Sequence, residues 1–185
     1  MKIIAFNGSA RADGNTHKMI EAALAPLLSA GFDCEEIHIG AEMIYGCRAC
    51  RSCHKTGHCV ITDDKCNIWA DMMRASNAVI LASPAYYANV SGQMKTFMDR
   101  VGFMTGTDLK HKIGAPIAVH RRMGGIQVYN ALMAFFGIKN MIVPMSTYWN
   151  LGVGLNPGDV LNDEEGMRTM KNLGDCMVWL LNKLA

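Results

Sequence analysis

Four cysteines lie close together in one short stretch of the chain. They follow the spacing C-x2-C-x2-C-x5-C and are Cys47, Cys50, Cys53 and Cys59. Four thiolates are the usual ligand set of one cubane iron-sulfur cluster, and the tight first spacing lets a short loop wrap three of its corners. The stretch differs from the bacterial ferredoxin run, because Val60 follows the last cysteine where that run has proline. We predict that these four thiols are metal ligands.

Three other interpretations of the cysteine stretch stay open. In the first, the thiols are free structural or redox groups. In the second, some of them bind zinc together with His54 or His58, although three cysteines at strict two-residue intervals are less usual for zinc. In the third, two of them form a disulfide within the loop, which a reducing compartment disfavours.

A second group of chemically active residues follows the first apolar run, Ile3 to Phe6. The turn from Gly8 to Thr16 leads into a helix, and N–H groups at a helix N-terminus bind anions. The side chains beside them offer hydroxyls, an amide and a guanidinium, from Ser9, Arg11, Asn15 and Thr16. Capping of the helix by Asn15 or Thr16 is compatible with that role. The turn lacks the Walker lysine and the G-x-G-x-x-G spacing, so it favours a phosphate monoester over a nucleoside triphosphate or a dinucleotide.

Two later turns contain residues suited to a planar ring. After the run Ala78 to Ala82, the chain reads Ser83-Pro84-Ala85-Tyr86-Tyr87-Ala88-Asn89. Aromatic faces and backbone edges bind planar heteroaromatic rings, and an amide binds their polar rim. The other turn follows the run Ile113 to Val119 and contains Met123, Gly124 and Gly125, where paired glycines let backbone N–H groups approach a ligand closely. The alternative for the two tyrosines is that they are ordinary half-buried loop aromatics.

These turns need a scaffold that brings them to one edge of the molecule. Apolar runs of strand length alternate with amphipathic segments of helix length, which predicts a parallel sheet covered on both faces. We expect a flavodoxin-like, doubly wound α/β fold in three layers with strand order 2-1-3-4-5. Ligands of that fold lie beyond the carboxyl ends of the strands. The predicted strands are Ile3–Phe6, Cys34–Ile39, Ala78–Ala82, Ile113–Val119 and Met141–Pro144.

The length of the chain, 185 residues, favours a single domain over residues 1–185. The long segment at about residues 40–66 has no regular period and contains the four clustered cysteines. Connections of that length inside a compact domain are usually functional or disordered. We interpret this segment as a cysteine-rich insertion loop.

Composition narrows the class of protein further. Half of the residues are hydrophobic and 18% are charged, but no stretch approaches about 20 apolar residues, so we expect neither disorder nor a membrane span. A net charge of +2 with scattered Lys and Arg predicts no nucleic-acid partner. The first apolar run ends in a turn instead of a cleavage site, so we expect a cytoplasmic protein. The odd cysteine count of seven argues against a disulfide scaffold.

Taken together, the turns resemble the NADPH-dependent FMN reductase and iron-sulfur flavoprotein branch of the flavodoxin-like superfamily. The matching strings run in order along nearly the whole chain: Gly8-Ser9-x-Arg11-x-x-Gly14-Asn15-Thr16, Ser83-Pro84-x-Tyr86, Ser91-Gly92-x-x-Lys95-x-Phe97-x-Asp99-Arg100, and Gly124-Gly125. The resemblance implies FMN, with its phosphate on the first turn. Its isoalloxazine ring would be bordered by Pro84, Tyr86, Tyr87, Asn89 and Met123-Gly124-Gly125. It also implies that the four clustered cysteines ligate a [4Fe-4S] cluster.

The activity implied by the resemblance is that of an FMN-dependent oxidoreductase. Electrons would pass from a carrier such as ferredoxin through the cluster to FMN and on to a small acceptor such as a quinone, oxygen or peroxide, without a catalytic side chain. The alternatives are a cluster-free reductase in which NAD(P)H is the donor to FMN or a quinone, and a non-catalytic electron carrier of flavodoxin type. By the same resemblance we expect a homodimer or homotetramer, with Lys95, Asp99 and Arg100 as structural or subunit-interface residues.

Overall fold

Parallel strands form the centre of the structure. The computed structural model describes residues 1–184, and within them the sheet has five strands in the order β2-β1-β3-β4-β5, which confirms the predicted topology. Each neighbouring pair is parallel. The strands are β1 (Lys2–Asn7), β2 (Asp33–His38), β3 (Ala78–Pro84), β4 (Ile113–His120) and β5 (Leu151–Val153).

The central strands are apolar on both faces because both faces are covered. In β1, Ile3 belongs to one buried cluster and Ile4 to the other, and the alternation continues along the strand. In β3, Ile80 and Leu81 divide in the same way. Such continuous apolar runs are typical of parallel sheets buried between two helical layers.

Helices form the two outer layers. They are α1 (Asn15–Ser29), α2 (Cys53–Thr56), α3 (Cys66–Ala75), α4 (Gly92–Thr105), α5 (Gly125–Ile138) and α6 (Glu164–Leu184), with a 3-10 turn at Asp159–Asn162. Side chains of α1 and α6 pack on one face of the sheet, and side chains of α3, α4 and α5 pack on the other. No helix within residues 1–184 is long and apolar enough to cross a membrane.

The prediction of the fifth strand at Met141–Pro144 was wrong. That segment lies beside the start of β4, where the N–H of Gly114 donates to the carbonyl of Ile142 at 3.0 Å, but it makes only an isolated bridge. Pro144 has no N–H to extend a ladder. The paired strand is β5, whose Gly152 lowers strand propensity and hides the signal. A Cβ at Gly152 would lie 2.7 Å from Cε of Met19, so the glycine lets α1 pack closely here.

Candidate functional site

The first turn beyond the sheet has the features of an anion site. Helix α1 begins after Gly14, and this N-cap residue has no side chain to accept a hydrogen bond from the first N–H groups of the helix. Ser9 orders the turn, because its hydroxyl accepts a hydrogen bond from the N–H of Arg11 at 3.1 Å. Its carbonyl accepts one from Nε2 of His38 at 2.5 Å. The backbone N–H groups are therefore held at a helix N-terminus, which favours negative charge.

A cavity of about 250 Å³ opens beside this turn, at the carboxyl ends of the strands. We call it the cofactor cavity. Six of the residues predicted to bind a cofactor line it: Ser9, Arg11, Asn15, Thr16, Pro84 and Tyr86. The structure therefore brings the turn before α1 and the turn after β3 together, as expected when ligands lie beyond the carboxyl ends of the strands.

Two of the predicted anion-binding side chains are already engaged with the segment after β5. Nη1 of Arg11 donates to the carbonyl of Leu155 at 3.0 Å. Nδ2 of Asn15 donates to the carbonyl of Asn156 at 2.9 Å, and its Oδ1 accepts from the N–H of Val160 at 3.3 Å. Both ends of the Asn15 amide are thus used within the chain. Besides the hydroxyl of Thr16 and the first N–H groups of α1, the remaining N–H groups of Arg11 and Asn15 can still donate to an anion.

Five further residues that were predicted to bind a cofactor do not line the cofactor cavity: Tyr87, Asn89, Met123, Gly124 and Gly125. Tyr86 and Asn89 close a tight turn, with the N–H of Tyr86 donating to the carbonyl of Asn89 at 2.9 Å and the reverse bond at 3.1 Å. The two residues between them, Tyr87 and Ala88, have φ of +49° and +58°. Such a turn normally has glycine or asparagine at these positions. Tyr87 is fully exposed at the tip of the turn.

Gly124 and Gly125 lie next to the cofactor cavity and let its wall residues pack closely. Gly124 has φ of +94°, and a Cβ there would lie 3.0 Å from Cα of Ala88, so the turns after β3 and β4 touch. A Cβ at Gly125 would lie 2.3 Å from Cδ2 of His120. Met123 is largely exposed. The glycines therefore fix the position of wall residues through close packing.

Several wall residues were missed by the sequence analysis. They are Ala85, Val119, His120, Arg121, Gly154 and Leu155. Ala85 directly follows β3, Val119 and His120 end β4, and Arg121 directly follows β4, so the carboxyl-end rule alone would have pointed to these four. Gly154 and Leu155 follow β5, and the misplaced fifth strand concealed them.

The four clustered cysteines line a second, smaller cavity of about 120 Å³, which we call the cysteine cavity. Cys47 and Cys50 are exposed, and Cys53 and Cys59 are half-buried. The N–H of Ala49 donates to Sγ of Cys47 at 3.4 Å. Within residues 1–184, no three His, Cys, Asp or Glu side chains are already arranged as metal ligands. The thiols thus share one cavity without a finished coordination geometry.

The chemistry of the cysteine cavity fits a cluster. The residues between the first three cysteines, Ala49 and Arg51, have φ of +53° and +60°. Alternation of right- and left-handed residues turns backbone N–H groups to one side, as in many iron-sulfur sites. The N–H and hydroxyl of Ser52 lower the pKa of Cys50. Burial, and then the charge of neighbouring Cys59, raises the pKa of Cys53.

Cys66 lies outside this set. Its side chain is fully buried at the start of α3, and burial raises the pKa of its thiol from 9.0 to about 12. A thiol of that kind is inert as a nucleophile at neutral pH.

Arg100, on α4, anchors both ends of the cysteine segment. Its guanidinium pairs with the carboxylate of Asp64 at 2.5 Å, and both side chains are almost fully buried. It also donates to the carbonyl of Tyr45 at 3.0 Å and to that of Ile61 at 3.2 Å. Burial opposes ionisation of Asp64, but the hydrogen bonds from Arg100 and from backbone N–H groups outweigh it and lower its pKa. Arg100 is therefore a structural residue within this chain, and its pairing with Asp64 could not be predicted from the sequence.

Comparison with known proteins identifies the family. Residues 1–155 match the model of the family described as NADPH-dependent FMN reductase. The chain belongs to this family. An iron-sulfur flavoprotein of Methanocaldococcus jannaschii is 36% identical over 94% of each chain. One of Archaeoglobus fulgidus is 37% identical over 94% of this chain and 77% of its own.

Members of the FMN reductase family are flavin-dependent oxidoreductases, and this chain is one of them. Its cofactor is FMN. The fold is that of solved flavodoxins: one from the domain Archaea superimposes with a TM-score of 0.63 over 97% of this chain and 99% of its own, at 19% identity. The predicted family, fold class and enzyme class are thereby confirmed.

Proposed function

We propose that this FMN reductase family member is an iron-sulfur flavoprotein. It would move electrons from a carrier protein such as ferredoxin, through a [4Fe-4S] cluster, to FMN and on to a small acceptor. The observation that carries this proposal is that four cysteines line one cavity inside an anchored segment. When bound, the cluster supplies one-electron transfer, and FMN supplies one- or two-electron transfer.

Within this proposal the chain holds the two groups at separate places. The ligands of the cluster are Cys47, Cys50, Cys53 and Cys59. The FMN phosphate is held by the α1 N-terminus with Ser9, Arg11, Asn15 and Thr16, and the ring is bordered by Pro84, Tyr86, Tyr87, Asn89, Met123, Gly124 and Gly125. Six of these residues line the cofactor cavity, which supports a direct role for them: Ser9, Arg11, Asn15, Thr16, Pro84 and Tyr86. The remaining residues would act by shaping the turns in which they lie.

The surface of the cysteine segment suits an acidic electron donor. Arg48, Arg51 and Lys55 are exposed, and the stretch from Cys47 to Cys59 contains no Asp or Glu. A one-sign surface steers an oppositely charged partner and makes association depend on ionic strength. We therefore propose docking of a ferredoxin-like carrier on this surface.

A homodimer or homotetramer is part of the proposal. Exposed apolar side chains follow closely after residues of the cavity wall: Tyr87 comes directly after Tyr86, and Met123 two residues after Arg121. Apolar groups exposed together on a surface commonly mark an interface. Burial of these side chains against a second subunit would enclose the cavity.

The first test is the composition of protein purified without oxygen. About four iron and four acid-labile sulfide per chain, with one FMN, is the expected result. In Cys50→Ala the cluster should be lost while FMN stays bound, and Cys176→Ala, outside the cysteine cavity, should retain both. Loss of FMN together with the cluster in Cys50→Ala would contradict the separation of the two places.

The second candidate is a cluster-free NAD(P)H-dependent FMN or quinone reductase. It is favoured by the family description and by the absence, within residues 1–184, of cysteines already arranged as ligands. Rapid reduction of the flavin by NAD(P)H without a carrier protein, in a sample free of iron, would support it over the first proposal.

A further inference from the structure

His120, the last residue of β4, lies in the wall of the cofactor cavity. Strand pairing fixes its backbone, because its carbonyl accepts a hydrogen bond from the N–H of Gly154 at 3.0 Å. Its ring packs against the first residue of α5, and only glycine leaves room for it there: a Cβ at Gly125 would lie 2.3 Å from Cδ2 and 2.9 Å from Nε2. The imidazole is therefore held in place by its neighbours, although no side chain within residues 1–184 forms a hydrogen bond with it.

The two ring nitrogens of His120 have different surroundings. Nδ1 is buried and has no hydrogen-bond partner among residues 1–184, whereas Nε2 is not enclosed in this way. A proton on Nδ1 would be a buried N–H donor with no acceptor, which is costly. The neutral ring therefore favours the tautomer with its proton on Nε2. That tautomer presents one N–H donor at the cavity wall.

The position of His120 on the sheet indicates which part of a ligand it meets. Its ring packs against α5, which covers one face of the sheet, whereas the anion-binding turn belongs to α1 on the opposite face. The same cavity contains Tyr86 from the turn after β3. The side chain of His120 thus lies on the face of the sheet that α5 covers, opposite the face that α1 covers.

We propose that His120 is a positioning residue for the flavin ring, and that its Nε2–H donates a hydrogen bond to a carbonyl oxygen or ring nitrogen of the isoalloxazine. This inference rests on the proposed binding of FMN in the cofactor cavity. Reduction adds electron density to the acceptor atoms of the ring, and hydrogen bonds to more negative acceptors are stronger. The contact therefore holds the reduced flavin more firmly than the oxidised one and raises the reduction potential.

Two variants separate the hydrogen bond from the packing of the ring. His120→Gln keeps an N–H donor near the place of Nε2, and His120→Leu fills similar space without a donor. Dissociation constants of the flavin-depleted full chain for FMN and for riboflavin are measured by quenching of flavin fluorescence, and the midpoint potential of bound FMN by dye-linked titration. We expect His120→Leu to bind both flavins roughly three- to tenfold more weakly and to have a lower potential, and His120→Gln to stay near the parent values.

Several outcomes would overturn the inference. They are unchanged affinity and potential in His120→Leu, equal weakening in both variants, and weaker binding of FMN with unchanged binding of riboflavin, which would place His120 at the phosphate. If the parent chain binds neither flavin, the proposed cofactor site itself is wrong. Circular dichroism and thermal unfolding check each variant, and His120→Met replaces His120→Leu if the latter does not fold.

Discussion

The guanidinium of Arg100 and the carboxylate of Asp64 form a buried ion pair, 2.5 Å apart, at the base of the cysteine segment. Further hydrogen bonds from Arg100 and to Asp64 join Tyr45, Ile61 and Cys66 to the same pair. A buried ion pair stabilises a protein little more than well-packed apolar residues would in its place. Removing only one partner, however, leaves the other charge buried and uncompensated.

Removal of one partner of this pair should be strongly destabilising. We expect Arg100→Met to lower the free energy of unfolding by about 3–5 kcal/mol, because Asp64 would remain buried and unpaired. The double variant Asp64→Asn with Arg100→Met should be less destabilised than the sum of the singles. Urea unfolding monitored by circular dichroism measures each value.

The control lies on the same helix. Lys95 pairs with Asp99 at 2.6 Å, but both side chains are exposed. Lys95→Met should therefore change stability by less than about 1 kcal/mol. Equal effects of the two helix variants would contradict the structural role assigned to Arg100.

The lowered pKa of Asp64 predicts a specific dependence of stability on pH. A carboxyl whose pKa in the folded state lies below its ordinary value of 3.8 contributes stability that is fully present above that value. The contribution is lost as the pH falls through the lower, folded value. The free energy of unfolding should therefore decline below about pH 4 in the parent, and the decline should be smaller in Asp64→Asn. An identical acid limb in both proteins would show that Asp64 is not the group responsible.

The contact between the turns after β3 and β4 should respond in opposite directions to two substitutions. Gly124→Ala should destabilise the protein by about 1–2 kcal/mol, because alanine is strained at φ of +94° and its Cβ would press on Ala88. Ala88→Gly should be neutral or stabilising, since it removes a left-handed non-glycine residue. Thermal unfolding compares both with Gly137→Ala, where a Cβ meets open space. A Gly137→Ala variant as unstable as Gly124→Ala would refute the steric argument.

The anion-binding turn predicts selective loss of affinity for the phosphate. Thr16 is buried in the cavity wall, and Thr16→Val keeps its shape while removing the hydroxyl. A hydrogen bond to a charged group contributes about 1.5–3 kcal/mol, so the dissociation constant of FMN should rise roughly 10- to 100-fold. Riboflavin, which has no phosphate, is the matched ligand and should bind as before. Equal losses for both flavins, measured by fluorescence quenching, would instead indicate a general disturbance of the cavity.

The parts of the fold that the sequence predicted are those with a strong period. The continuous apolar runs in β1 and β3 indicate strands buried on both faces, and the strand order follows from the alternation of elements. The fifth strand was misplaced because β5 contains Gly152, which weakens its apolar pattern. Its Gly152 is required by contact with Met19, and that contact involves a residue more than a hundred positions away.

Some features of the candidate site could likewise be predicted from the sequence and others could not. Ser9, Thr16, Pro84 and Tyr86 could be placed in one cavity because each lies in the turn after a predicted strand or at the start of the helix that follows it. The use of Arg11 and Asn15 could not be foreseen, since their partners lie in the segment after β5. The burial of Nδ1 of His120, which has no hydrogen-bond partner within residues 1–184, likewise depends on tertiary packing that a sequence does not show.

Both ends of the cysteine segment are hydrogen-bonded to Arg100, which allows the sequence between them to vary. Tyr45 and Ile61 are hydrogen-bonded to the same guanidinium, so both ends of the segment are held at one place, and Gly57 within it accepts a hydrogen bond from Arg74 of α3 at 2.6 Å. Lengthening such a loop changes its closure entropy only slowly. The residues between those two positions, the four clustered cysteines among them, can therefore change in number and type while the sheet and the turns around the cofactor cavity stay the same.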